Sequence, residues 1–166
     1  MKTSGCVLKS DSVYAFILGV MARPRSLMKR QPSNFGVYVG LGGYDVVGDK
    51  VVVKLPLEEK HLNQLGLAHG GAIATLADNA MGLACLVASK APMVTVEFKL
   101  SFLRPAKKGV LTASSKVDKL GEHLAFAQCE IVDDGGQLVA KAYGTYMIAK
   151  PSGSTATGSP KMPAPE

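Results

Sequence analysis

Between Gly70 and Ser89 the chain runs for twenty residues with a single charge, Asp78. Ala72, Ile73, Leu76, Ala77, Ala80, Met81, Leu83, Ala84, Leu86, Val87 and Ala88 leave this run almost no polar face. A helix that is apolar all round belongs in a protein core or in a membrane. A charge near the middle of a membrane span costs about 2.5–3.5 kcal/mol. Thr75, Asn79 and Gly82 add to that cost, and the sequence has no second run of this kind. The run therefore reads as a buried helix, with no stable membrane insertion.

Its surroundings read as strands. Residues 41–47 and 51–56 flank Gly48-Asp49, a hairpin signal. Residues 93–103 alternate, with Val94, Val96, Phe98, Leu100 and Phe102 on one side and Thr95, Glu97, Lys99 and Ser101 on the other. That is the period of a half-buried strand. Residues 110–117, 124–132 and 138–149 follow, separated by Leu120-Gly121-Glu122 and Asp133-Asp134-Gly135-Gly136. One helix among six strands must be what the sheet packs around. The expected class is α+β, an antiparallel sheet wrapped around one long central helix.

The 166 residues suit one domain. Residues 35–150 carry the periodicity. Residues 1–34 form a basic segment and hold most of the net charge of +6. Ten apolar residues, 13–22, are too few to span a bilayer, which takes about 20. They read as a surface helix capped by Ser10 or Asp11, before a linker broken at Pro24 and Pro32. A mitochondrial presequence is the alternative, since the segment is acid-poor and contains Arg. Asp11 and the absence of a disulfide set argue against secretion, so the expected location is cytoplasmic or mitochondrial. Residues 151–166 are rich in Pro, Ser, Gly and Thr and read as a disordered tail. No basic stripe interleaved with aromatics runs through the body, so nucleic acid is not an expected partner. Cys6, Cys85 and Cys129 form no metal-binding spacing. No metal or cofactor is implied, and Cys85 and Cys129 read as small core residues.

A carboxylate on a buried helix is expensive unless paired or functional. The residues sharing Asp78's face, namely Ala74, Thr75, Met81, Gly82 and Cys85, are mostly small and include no cation. Small neighbours admit a substrate or an equivalent helix of a second chain. Gly70-Gly71 at the helix start expose backbone N–H groups to a ligand, with the helix dipole behind them. Tight packing at a turn explains the glycine pair equally well. Gly70 and Asp78 are eight residues, about 12 Å, apart along one helix. One carbonyl cannot contact both at the roughly 3 Å that catalysis requires. If both serve one reaction, they come from two subunits, and a two-fold dimer with antiparallel helices supplies that geometry twice.

The pattern Asn63-x-x-Gly66-x-x-His69-Gly70-Gly71-x-x-x-x-x-x-Asp78 resembles the signature of hotdog-fold acyl-CoA thioesterases. The likeness is to the phenylacetate-pathway type and the related acyl-CoA thioesterase 13 group, over about residues 35–150. The resemblance implies a hotdog fold and hydrolysis of acyl-CoA to free acid and CoA. It also implies a homodimer with one continuous sheet, or a homotetramer of such dimers. On that resemblance Asp78 is the base or nucleophile, and Gly70 N–H polarises the thioester carbonyl from the opposing subunit. Asn63 orients the carbonyl or the water, His69 holds the loop or the thioester, and Thr95 helps place the water. Gly71 and Met81 are expected substrate contacts, with the Met81 and Cys85 face shaping the acyl pocket. Arg104, Lys107 and Lys108 form a basic loop suited to CoA phosphates or simply to solvent, and Lys119 and His123 are weaker candidates of the same kind. Phe35, Tyr38 and Tyr44 either line an acyl tunnel or fill the core. The alternatives are a hotdog dehydratase or hydratase, a non-catalytic acyl-CoA-binding or scaffold protein, and nucleic-acid binding through the basic N-terminus, for which the sequence offers no fold.

Overall fold

The computed structural model describes residues 33–149. The expectations for the N-terminal segment up to residue 32 and for the tail from residue 150 lie outside the described residues. Helix α1 (Asn34–Val39) leads into the hairpin β1 (Tyr44–Val47) and β2 (Lys50–Pro56). A short 3-10 turn (Glu59–His61) and a loop precede the long helix α2 (Gly70–Ser89). Strands β3 (Met93–Phe102), β4 (Val110–Leu120), β5 (Leu124–Val132) and β6 (Leu138–Ile148) complete the chain. The six strands form one sheet in the order β1-β2-β4-β5-β6-β3. Every neighbouring pair is antiparallel.

Helix α2 lies on one face of this sheet, as the class α+β requires. Its start is capped by His69, whose side chain accepts from Gly71 N–H. It ends at Lys90, in the left-handed conformation, whose N–H returns to Leu86 O. Ile73, Leu76, Ala77, Ala80, Met81, Ala84 and Cys85 form its buried side. They meet the inward residues of the strands, such as Leu55, Leu111, Ala113, Ala127 and Ile131, all of which are buried. Cys85 and Cys129 also sit in this core, where burial raises their thiol pKa values to about 11 and about 12.

The structure departs from the sequence reading in three ways. First, α2 is not enclosed all round within one chain. Ala74, Thr75, Asp78, Asn79 and Gly82 are half-buried, and Val87 is exposed. A single sheet covers one side of a helical cylinder and leaves the other open. Second, the chain forms α1, which the sequence reading lacks. Ser33 Oγ accepts from Gly36 N–H, and Gly40 closes the helix at φ +83°. Six residues are too few to show helical periodicity. Phe35 and Tyr38 on this helix are 62% and 80% exposed and fill no core, whereas Tyr44 is buried.

Third, β3 is not strictly alternating. Thr95 pairs with Tyr146 and Glu97 with Thr145, so Val96 is an extra, unpaired residue. A bulge of this kind reverses the face on which earlier residues lie relative to later ones. Thr95 consequently shares the helix-side face with Phe98 and Leu100 instead of opposing them. Phe98 and Leu100 pack against the core, and the Thr95 hydroxyl reaches α2. Strand β3 pairs with β6 alone and forms one rim of the sheet. A second bulge, between Val117 and Lys119, carries β4 on to Leu120.

Candidate functional site

The loop before α2 is built around Asn63. Its Oδ1 accepts from Leu65 N–H at 2.9 Å and Leu67 N–H at 3.1 Å. Gly66, at φ +68°, donates its N–H to Asn63 O at 2.9 Å. The side-chain oxygen is thus committed to the loop, and the amide NH2 has no partner among the described residues. Ala68 N–H donates to Ala106 O at 2.7 Å, tying this loop to the segment after β3. Between the two lies a depression of about 400 Å³, lined by Asn63, Gly70, Ile73, Phe102 and Arg104 among others.

The first N–H groups of α2 have different fates. Gly71 N–H donates to His69 Nδ1 at 2.9 Å. Ala72 and Ile73 donate to His69 O at 2.9 and 3.2 Å. Gly70 N–H alone among these has no acceptor among the described residues, and Gly70 lines the depression. The accepting Nδ1 of His69 places the ring proton of a neutral imidazole on Nε2. His69, expected to hold the loop or the thioester, holds the first turn of α2 through its Nδ1 and its carbonyl. Gly71, expected to meet the ligand, has its N–H engaged in the cap. A Cβ there would lie 3.0 Å from His69 Nδ1. A Cβ on Gly70 would lie 3.1 Å from the Phe102 ring, so the glycine lets that aromatic sit against the helix start.

Two turns further along α2, Asp78 is half-buried. Its Oδ1 accepts from Thr95 Oγ1 at 2.9 Å and from the Tyr146 hydroxyl at 3.0 Å. Oδ2 has no partner among the described residues. No ion pair involves Asp78 among the described residues. The carboxylate is therefore held at one oxygen by two neutral donors and open at the other. Tyr146 is 1% exposed. Burial, and next the Asp78 charge, push its phenol pKa well above the usual range, so it remains a donor.

The fold thus brings Asn63, Gly70 and Arg104 around one depression and Asp78 and Thr95 into a separate cluster. Eight helical residues, about 12 Å, separate Gly70 from Asp78. Lys107 and Lys108 line a different depression of about 530 Å³, beside Asp133 and Asp134, whose charges oppose theirs. Met81 is fully enclosed in the core and lines neither depression, because it falls on the sheet-facing side of α2. Cys85 is enclosed in the same way. Among the described residues no group of three His, Cys, Asp or Glu is placed to hold a metal.

Sequence reasoning missed Tyr146. The signal was present: inward positions on β6 are Ala140, Ala142 and Gly144, and Tyr146 breaks that series of small residues. It also missed His61, which is buried. His61 Nδ1 accepts from Glu58 N–H and Nε2 donates to Val39 O, fastening α1 to the loop.

A model of the thioesterase superfamily matches residues 65–140. A candidate esterase of Pseudomonas aeruginosa, PA0474, is 42% identical over 102 residues, covering 60% of this chain and 75% of that protein. Human acyl-coenzyme A thioesterase 13 is 35% identical over 99 residues, covering 58% of this chain and 71% of that protein. Among solved structures, the conserved protein PA5202 of Pseudomonas aeruginosa superposes with a TM-score of 0.67 at 30% identity. The superposition covers 77% of this chain and 99% of that one. The architecture they share is the hotdog arrangement of an antiparallel sheet on one long helix.

Proposed function

The chain belongs to the thioesterase superfamily, and on that premise we propose that it hydrolyses an acyl-CoA thioester to free acid and CoA at a site completed by a second copy of the chain. The observation that carries this reading is the state of Asp78, anchored through Oδ1 and open at Oδ2. An open carboxylate oxygen on a fixed base is what proton abstraction from water needs. The water oxygen bonds to the thioester carbon while Oδ2 takes one of its protons. The carbonyl oxygen becomes an oxyanion, and a free backbone N–H is a suitable donor for it. Gly70 offers that N–H, and the Asn63 amide a second donor. The C–S bond then breaks, and the CoA sulfur leaves with the proton that Asp78 took.

The separation of Gly70 from Asp78 supports a shared site. Strand β3 is a rim of the sheet, and Val94 and Val96 on it are about half exposed. A second copy paired along this rim would extend the sheet and cover the open side of α2. With the helices antiparallel, the Gly70 end of one would face Asp78 of the other, twice per dimer. Arg104, which lines the depression, and the neighbouring Lys107 and Lys108 are then the cations available to CoA phosphates.

The test is release of free thiol from phenylacetyl-, short-, medium- and long-chain acyl-CoA. The wild type is expected to turn over at least one of them, and Asp78→Asn to lose at least about 100-fold in kcat, as for a positioned base. A wild type that binds acyl-CoA but hydrolyses none of the panel would replace this reading with a binding or scaffold role.

A further inference from the structure

The Tyr146 side chain occupies a slot formed by two glycines. A Cβ on Gly82, one turn beyond Asp78 on α2, would lie 3.5 Å from its ring, and a Cβ on Gly144 of β6 would lie 3.0 Å from it. The slot sets the phenol beneath Asp78, with its hydroxyl 3.0 Å from Oδ1 and 3.2 Å from the backbone carbonyl of the same residue. The other donor to Oδ1, Thr95, is exposed and sits beside a bulge on a rim strand. Tyr146 is enclosed on a strand paired on both sides. Of the two donors, Tyr146 is the one whose position the core fixes.

We infer that Tyr146 is a positioning residue for Asp78, holding the carboxylate by Oδ1 so that Oδ2 is the oxygen presented to water. The inference rests on the reading of Asp78 as the base and adds to it a residue that acts without touching substrate. A carboxylate held by a single donor can rotate about its terminal torsion, which is broad and roughly two-fold. Rotation exchanges the two oxygens and misdirects the open lone pair. Small errors of placement in a reacting pair are expensive, up to about 100-fold per ångström.

Tyr146→Phe removes one oxygen and leaves the ring in its slot, so the variant is expected to fold. Its kcat on the best acyl-CoA is expected to fall about 10- to 100-fold, with KM within about threefold, because the acyl-CoA contacts are untouched. A folded Tyr146→Phe with wild-type kcat, alongside a dead Asp78→Asn, overturns the positioning role and leaves the base intact. Wild-type activity in Asp78→Asn overturns the reading of the base, and this inference with it. Should Tyr146→Phe fail to fold, proton NMR of the wild type decides: the Tyr146 hydroxyl, enclosed and bonded to Oδ1, is expected to give a slowly exchanging resonance that shifts in Asp78→Asn, and a hydroxyl proton in fast exchange with solvent would overturn the role.

Discussion

Gly70 is a residue whose N–H can be deleted almost in isolation. It is the first residue of α2, a position where proline is readily accommodated. The preceding residue, His69, is already at φ −63° and ψ 136°, the extended conformation that a following proline demands. No internal hydrogen bond is lost, since Gly70 N–H has no acceptor among the described residues. The added carbons press on Phe102, which is 56% exposed and free to give way. Gly70→Pro is therefore expected to melt close to the wild type by circular dichroism. Its kcat is expected to fall at least about 100-fold, the loss typical of one oxyanion donor. Near-normal turnover in the folded variant would remove Gly70 N–H from the mechanism. In the sequence Asp78 stands out because a lone acid in an apolar run is costly without a use, whereas the glycine pair fits tight packing equally well and Gly70 is singled out by the family resemblance. Tyr146 breaks the series of small inward residues on β6, but that break does not say what its hydroxyl meets. Its importance comes from a contact 68 residues away in the chain.

At the scale of elements, most of the sheet was legible because its strands alternate and its turns carry glycine. The sequence reading and the structure agree on both ends of β5, and on β2 to one residue. Strand β3 shows where alternation fails. Apolar and polar residues do alternate there, but one extra residue at Val96 shifts the phase, and composition alone cannot register an insertion. The same bulge lies on the rim where a second copy is proposed to pair. A lysine there would place a solvated charge in the seam, twice by symmetry, as natural rim strands do to prevent pairing. Val96→Lys is thus expected to fold as a monomer unit and to weaken self-association at least about tenfold in sedimentation experiments. Specific activity should then rise with protein concentration. Unchanged association would place the interface elsewhere.

For the whole molecule, the separation of Gly70 from Asp78 makes a prediction about mixtures. If each site takes its N–H from one copy and its carboxylate from the other, Gly70→Pro and Asp78→Asn damage different halves. After unfolding and refolding an equimolar mixture, half the dimers are mixed, and each of these holds one undamaged site. Activity is expected to return to about a quarter of the wild-type level, from two inactive parents. No recovery from a mixture that refolds would mean that Gly70 and Asp78 do not meet in one site shared by two copies. The proposed assembly has only a distance behind it in the sequence, eight residues along a helix. The open side of α2 gives that distance a surface, which no count along the chain could supply. The cap on α2 has a further consequence. Helix starts commonly seize phosphate by offering several N–H groups at once. Here an imidazole and a carbonyl of His69 occupy all but one. What is left is a grip for a single oxygen, so in the proposed reaction the phosphates of CoA, present on the thioester and on the released thiol, would find no cradle where the reacting carbonyl is proposed to sit.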